Sequence, residues 1–97
     1  MRYTLRETEG LTATMLRDTI YDPVVRRARL LGGGFCAAQR ALRRAGASYG
    51  LIALVASVNK RTAQYRMIES IYERPWHAAL TAYAADVLAA TLPGRSA

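Results

Sequence analysis

The stretch "RALRRAGASYGLIALVASVNKR", Arg40 to Arg61, decides how this chain folds. Its inner fifteen residues, Ala45 to Asn59, carry no charge and are bracketed by Arg43-Arg44 on one side and Lys60-Arg61 on the other. Wound as a helix at about 100° per residue, Gly46, Gly50, Ala53 and Ser57 fall on one side, while Leu51, Ile52, Leu54, Val55 and Val58 cover the rest. No polar face remains, so the segment must be enclosed by protein or by lipid. The small residues at Gly46-x-x-x-Gly50, continued by Ala53-x-x-x-Ser57, have the spacing that lets two helix backbones approach closely inside a bilayer. They are therefore the expected helix-packing residues.

Length argues against a span, because crossing a hydrocarbon layer of ~30 Å takes ~20 residues and shorter apolar runs are often core helices. The flanks argue for it. Arg43, Arg44, Lys60 and Arg61 have stems long enough to lie along lipid with their heads at the interface. Tyr49 near one end, and Tyr65, Tyr72 and Trp76 beyond the other, are placed as aromatic rings are at headgroup level. These eight residues are the expected membrane-interface set. The preferred reading is a membrane-spanning helix, with a core helix of a soluble bundle as its competitor. A sequence-reading nucleic-acid role is disfavoured. "QRALRRAGAS" has some likeness to a helix-turn-helix, but a reading helix over residues 50–58 would offer no Asn, Gln or Arg to a base edge.

Working outward, Leu11, Met15, Ile20 and Tyr21 predict a short helix stopping before Pro23, and Asp22-Pro23 predicts a fresh start, with Asp capping free amides and Pro at the first helical position. A second helix is expected toward Ala45, with Val24, Val25, Ala28, Leu31 and Phe35 on its apolar side. Gly32-Gly33-Gly34 either breaks it or admits another group very close to the backbone. After Gly50 no breaker occurs before Pro75, so one long helix is expected, and Pro75 opens a last, alanine-rich helix that Pro93-Gly94 ends. No strand alternation and no internal repeat is visible. The expectation is one all-α unit over 1–97: an N-terminal segment 1–22, a basic helix 23–45 with a glycine break, a long apolar helix 46–74 and a C-terminal helix 75–92, three to four helices in all.

A chain of 97 residues forms a single small domain. Cys36 is its only cysteine and His77 its only histidine, which leaves no disulfide framework and no zinc-ligand set. Cys36 reads as a small buried hydrophobe and His77 as an interface or solvent-facing residue. Glu69 and Glu73 share a helical face with Arg66 and Arg74 nearby, a surface charge cluster rather than an acid/base pair. No catalytic residue, cofactor or metal is expected. The net charge of +7 is unevenly spread: residues 23–68 hold nine basic residues and no acid, and the remainder holds five basic against seven acidic residues. The opening "MRYTLRETEG" mixes Arg with Glu7 and Glu9, unlike a secretory signal or an acid-poor transit peptide, so any organellar address is expected to be internal.

Leu42 to Trp76, "LRRAGASYGLIALVASVNKRTAQYRMIESIYERPW", resembles the small single-span subunit 9 of the mitochondrial cytochrome bc1 complex. The likeness lies in the basic pair Arg43-Arg44, the aromatic Tyr49, the small-residue span Gly50 to Val58, the basic exit Lys60-Arg61 and the stretch Ile71-Tyr72-Glu73, within 35 of 97 residues. Gln64 stands where the family has an acid, and the first forty residues and the last helix have no counterpart, which keeps an accessory subunit of complex I or ATP synthase open as an alternative. The resemblance implies a non-catalytic accessory subunit of ubiquinol-cytochrome c reductase in the mitochondrial inner membrane. Such a subunit contacts lipid and neighbouring subunits, binds no small-molecule substrate and has its N-terminus in the matrix. The excess of Arg before the span gives the same orientation. The runner-up is a soluble basic helical module that binds nucleic acid or a protein partner.

Overall fold

The computed structural model describes residues 11–56 and 74–92. Among them there are four helical stretches and no strand. The first runs without interruption through α1 (Ala13–Leu16), a π-helical turn (Arg17–Tyr21) and α2 (Asp22–Leu30); α3 (Phe35–Arg44), α4 (Tyr49–Ala56) and α5 (Trp76–Thr91) follow. The all-α expectation holds for these residues.

Pro23 does not restart the first helix. A proline inside a helix lacks its N–H and crowds the carbonyl four residues back, and the chain accommodates it by widening the preceding turn. The Asp22 N–H donates to the Arg17 carbonyl, five residues back, and Asp22 is itself helical, with φ −60° and ψ −43°. The expected Asp22 cap is therefore absent, and Thr12 caps the helix instead, its hydroxyl accepting from the Met15 N–H at 3.1 Å. The wide turn also serves packing. In a straight α-helix Leu16 and Val25 would point about 180° apart. Here Leu16, Ile20, Tyr21, Val24, Val25 and Ala28 are all buried, because the π turn rotates the second half back toward the core.

Two glycines end helices by the same device. Gly32 and Gly46 have φ of +99° and +111°, a left-handed conformation that a side chain disfavours. After α2, the Gly32 N–H donates to Arg29 O (3.1 Å) and the Gly33 N–H to Ala28 O (2.8 Å). After α3, the Gly46 N–H donates to Arg43 O (3.1 Å) and the Ala47 N–H to Leu42 O (2.9 Å). Both are Schellman motifs, each closing a helix whose last turn is basic, as the helix dipole favours. Ser48 then opens α4, its hydroxyl accepting from the Leu51 N–H at 3.1 Å.

α2, α3 and α5 pack against one another, and the π turn lies between α4 and α5. α5 contributes the stripe His77, Leu80, Ala84 and Leu88, and α3 contributes Ala37, Ala38, Ala41 and Leu42. From α4, Leu51, Ile52, Ala53 and Val55 join the same core. Burying each of the three larger side chains contributes about 1.5–3 kcal/mol. Leu92 leaves the helical region, with φ −99° and ψ 118°, as expected for a residue that precedes proline.

Candidate functional site: an arginine face on α2 and α3

The expected docking stripe is not assembled as one helical face. Gly46 lies in the turn before α4 and not on a helix, because its positive φ closes α3. Gly50 is exposed, and among the described residues a methyl group there would meet only Ser48 Oγ, at 3.8 Å, so no backbone from another described element approaches it. Ala53 is buried in the chain's own core. Ser57 lies outside the described residues. The expected helix 46–74 therefore begins at Tyr49, and its continuation beyond Ala56 also lies outside them. No helix among the described residues is long and apolar enough to cross a membrane.

Of the expected interface residues, Lys60, Arg61, Tyr65 and Tyr72 lie outside the described residues. Arg43 and Tyr49 are brought together, with the Arg43 guanidinium 4.5 Å from the Tyr49 ring centroid. Arg43 Nη1 also donates to the Ala47 carbonyl at 3.2 Å, so this arginine pins the α3–α4 turn. Arg44 is exposed on the neighbouring face. Trp76 is half-buried at the start of α5, where its ring lies against Gly33. A methyl group on Gly33 would sit 2.7 Å from Trp76 Cη2 and 2.8 Å from Ala37 Cβ. The glycine run is thus both things the sequence left open: Gly32 supplies the turn and Gly33 the close contact.

The arginines take two kinds of position. On α2 the buried stripe is Val24, Val25 and Ala28, which puts Arg27 and Arg29 on its two shoulders and Arg26 with Leu30 on the outermost side. The Arg27 guanidinium lies 4.4 Å from the centroid of the Tyr83 ring on α5, and that of Arg29 lies 4.8 Å from the Phe35 ring on α3. Phe35 stacks in turn on Tyr21 at 6.4 Å. These cation–π contacts are worth about 0.5–1 kcal/mol each at exposed sites. They fix the guanidinium groups of Arg27 and Arg29 against rings while leaving both residues at the surface. On α3, Cys36, Arg40, Arg43 and Arg44 share the side opposite Ala38, Ala41 and Leu42, so Cys36 is half-buried rather than buried. Residues 23–56 carry six arginines and no acid; Arg26, Arg27, Arg29 and Arg44 are exposed, and Arg40 and Arg43 are half-buried.

Sequence reasoning missed Leu30 and Gln39 and misplaced His77. Leu30, 83% exposed, follows Arg26 by one helical turn, and the wheel set by Val24, Val25 and Ala28 would have found it. Gln39 is fully buried on α3, its Nε2 donating to the Tyr21 hydroxyl at 3.2 Å while its Oε1 has no partner among the described residues. His77, expected at an interface or in solvent, is buried, and its Nδ1 accepts from the Arg74 N–H at 2.8 Å, capping the entry to α5. Among the described residues no three His, Cys, Asp or Glu side chains cluster as metal ligands. Comparison of the chain with protein-family models, curated proteins and solved structures gives no match.

Proposed function

We propose that the chain is a non-catalytic accessory module that attaches to a larger assembly through the arginine face of α2 and α3. The observation that supports this is the acid-free run of six arginines on two helices whose opposite sides are committed to the core. Cations concentrated on a rigid surface raise the local potential and attract a partner of opposite sign. The test is elution from immobilised heparin, a polyanion, across a salt gradient. The double variant Arg26→Gln, Arg44→Gln should elute at distinctly lower salt than the parent, since each neutralised contact flattens the salt dependence. Elution at the parent's position would rule out this face.

The narrower identity, an accessory subunit of ubiquinol-cytochrome c reductase in the mitochondrial inner membrane, rests on the resemblance over 42–76, of which residues 57–73 lie outside the described ones. One observation favours a membrane-embedded version of the same role. Leu54, 45% exposed, and Gly50 form an apolar strip along the outside of α4 that a neighbouring helix or lipid would cover. Extraction with alkaline carbonate separates the two versions: an embedded subunit stays with the membrane and a peripheral one is released.

A further inference from the structure

The turn between α2 and α3 combines features that a purely electrostatic contact does not need. Leu30 is 83% exposed at the end of α2 and Phe35 is 50% exposed at the start of α3. They flank Gly32-Gly33-Gly34, which carries no side chain to stand between them and a flat surface. Arg26 lies one turn behind Leu30 on the same side of α2, and the Arg29 guanidinium lies against the Phe35 ring. Two large apolar side chains at a tip, with cations set just behind them, are arranged as at a lipid interface, where apolar groups enter the acyl boundary and Lys or Arg meets anionic headgroups. An acidic patch on a folded protein would complement the arginines and leave Leu30 uncovered.

We propose that this turn is a membrane-docking tip, inserting Leu30 and Phe35 into the surface of an anionic bilayer while Arg26 and Arg29 engage the headgroup phosphates. The proposal rests on the reading of the arginine face as a docking surface and names its occupant as lipid. It needs no spanning helix. The fold also supplies the reporter, because Trp76 is the only tryptophan of the chain and its ring packs against Gly33 beneath the tip.

The experiment titrates the full chain with vesicles of phosphatidylcholine, with and without phosphatidylserine, and follows Trp76 emission and co-sedimentation. Binding to the phosphatidylserine vesicles is expected, with a blue shift of Trp76 and quenching by lipids brominated near the headgroup end of the acyl chain. Leu30→Ser, at a site exposed enough to leave the fold intact, should weaken binding about tenfold, and Arg26→Gln about fivefold at low salt. Phe35→Ser should add a further loss; because Phe35 also stacks on Tyr21, its melting curve is compared with the parent's, and Leu30→Ser carries the test if that curve shifts. Equal binding to both vesicle types, or full binding by Leu30→Ser, overturns the proposal. Retention on heparin or RNA without vesicle binding overturns the lipid assignment and leaves the docking face standing, whereas loss of both ends the two readings together.

Discussion

The three consecutive glycines between α2 and α3 give the sharpest prediction, because alanine should have a different effect at each. At Gly33 a methyl group would lie 2.7 Å from Trp76 Cη2 and 2.8 Å from Ala37 Cβ, against an ordinary carbon–carbon separation of about 3.5–4.0 Å. The Trp76 ring has some freedom to tilt, but the Ala37 methyl is fixed to the α3 backbone, so the turn or the helix must shift. Overpacking of this kind costs about 1–3 kcal/mol, and the smaller entropy of the unfolded alanine chain returns about 0.4–1 kcal/mol. Gly33→Ala should therefore lose roughly 1–2 kcal/mol, a fall in midpoint of about 4–8 °C per kcal/mol for a domain this size. At Gly32 no described residue lies within 4 Å, but φ is +99°, so alanine incurs the backbone penalty of about 1–2 kcal/mol, less the same entropic return. At Gly34 φ is −151° and no described residue lies within 4 Å, so alanine should be neutral or stabilising by up to about 1 kcal/mol. Urea unfolding followed by far-ultraviolet circular dichroism and by Trp76 fluorescence measures all three. The expected order of stability is Gly34→Ala, parent, Gly32→Ala, Gly33→Ala. If Gly33→Ala matched the parent while Gly34→Ala were the most damaged, Trp76 would not be packed on this turn.

Three further substitutions test individual contacts by the same unfolding measurement. Ser48→Ala removes the cap from α4 and should cost about 1 kcal/mol, with Ser48→Thr, which keeps the capping hydroxyl at this buried position, retaining more of the parent's stability. Gln39→Met gives up one hydrogen bond to Tyr21 but also removes a buried carbonyl oxygen without a partner among the described residues, so a net gain of about 1 kcal/mol is expected; a loss would mean that Oε1 is satisfied in solution. Arg43→Ala breaks both the contact to the Ala47 carbonyl and the stacking on Tyr49 and should cost about 1–2 kcal/mol, which Arg43→Lys recovers only in part because an ammonium cannot stack as a guanidinium does.

What the sequence made legible was periodic or compositional. The alanine-rich helix after Pro75, the apolar positions Val24, Val25 and Ala28, and the basic centre of the chain all follow from spacing that needs no partner to interpret. The misread positions were those where one residue type serves two physical purposes. Gly46 fits a small-residue stripe and equally a helix stop, and the stop prevails because Arg43-Arg44 fill the last turn before it and Ser48 stands ready to cap the next helix. Read that way, "RRAGAS" is the end of one helix and the start of another, and the long apolar helix loses its first turn. Pro23 was a boundary by local rules, yet Leu16 and Val25 both belong to the core, and a widened turn satisfies the proline and both side chains at once. Nothing local announces that choice. For the candidate site, the six arginines were countable in advance, but not which of them would be tied to rings, since the partners of Arg27 and Arg29, Tyr83 and Phe35, come from other helices.

The central claim is that the segment beginning at Gly46 enters the chain's own core as a capped helix, leaving attachment to the arginine face. Hydrogen exchange of the amides of Ile52, Ala53 and Val55 in detergent-free buffer tests it most directly. Protection of these amides equal to that of the buried positions on α3 and α5, and unchanged when vesicles are added, is the predicted result. Rapid exchange in buffer that becomes slow only in detergent or bilayer would contradict it.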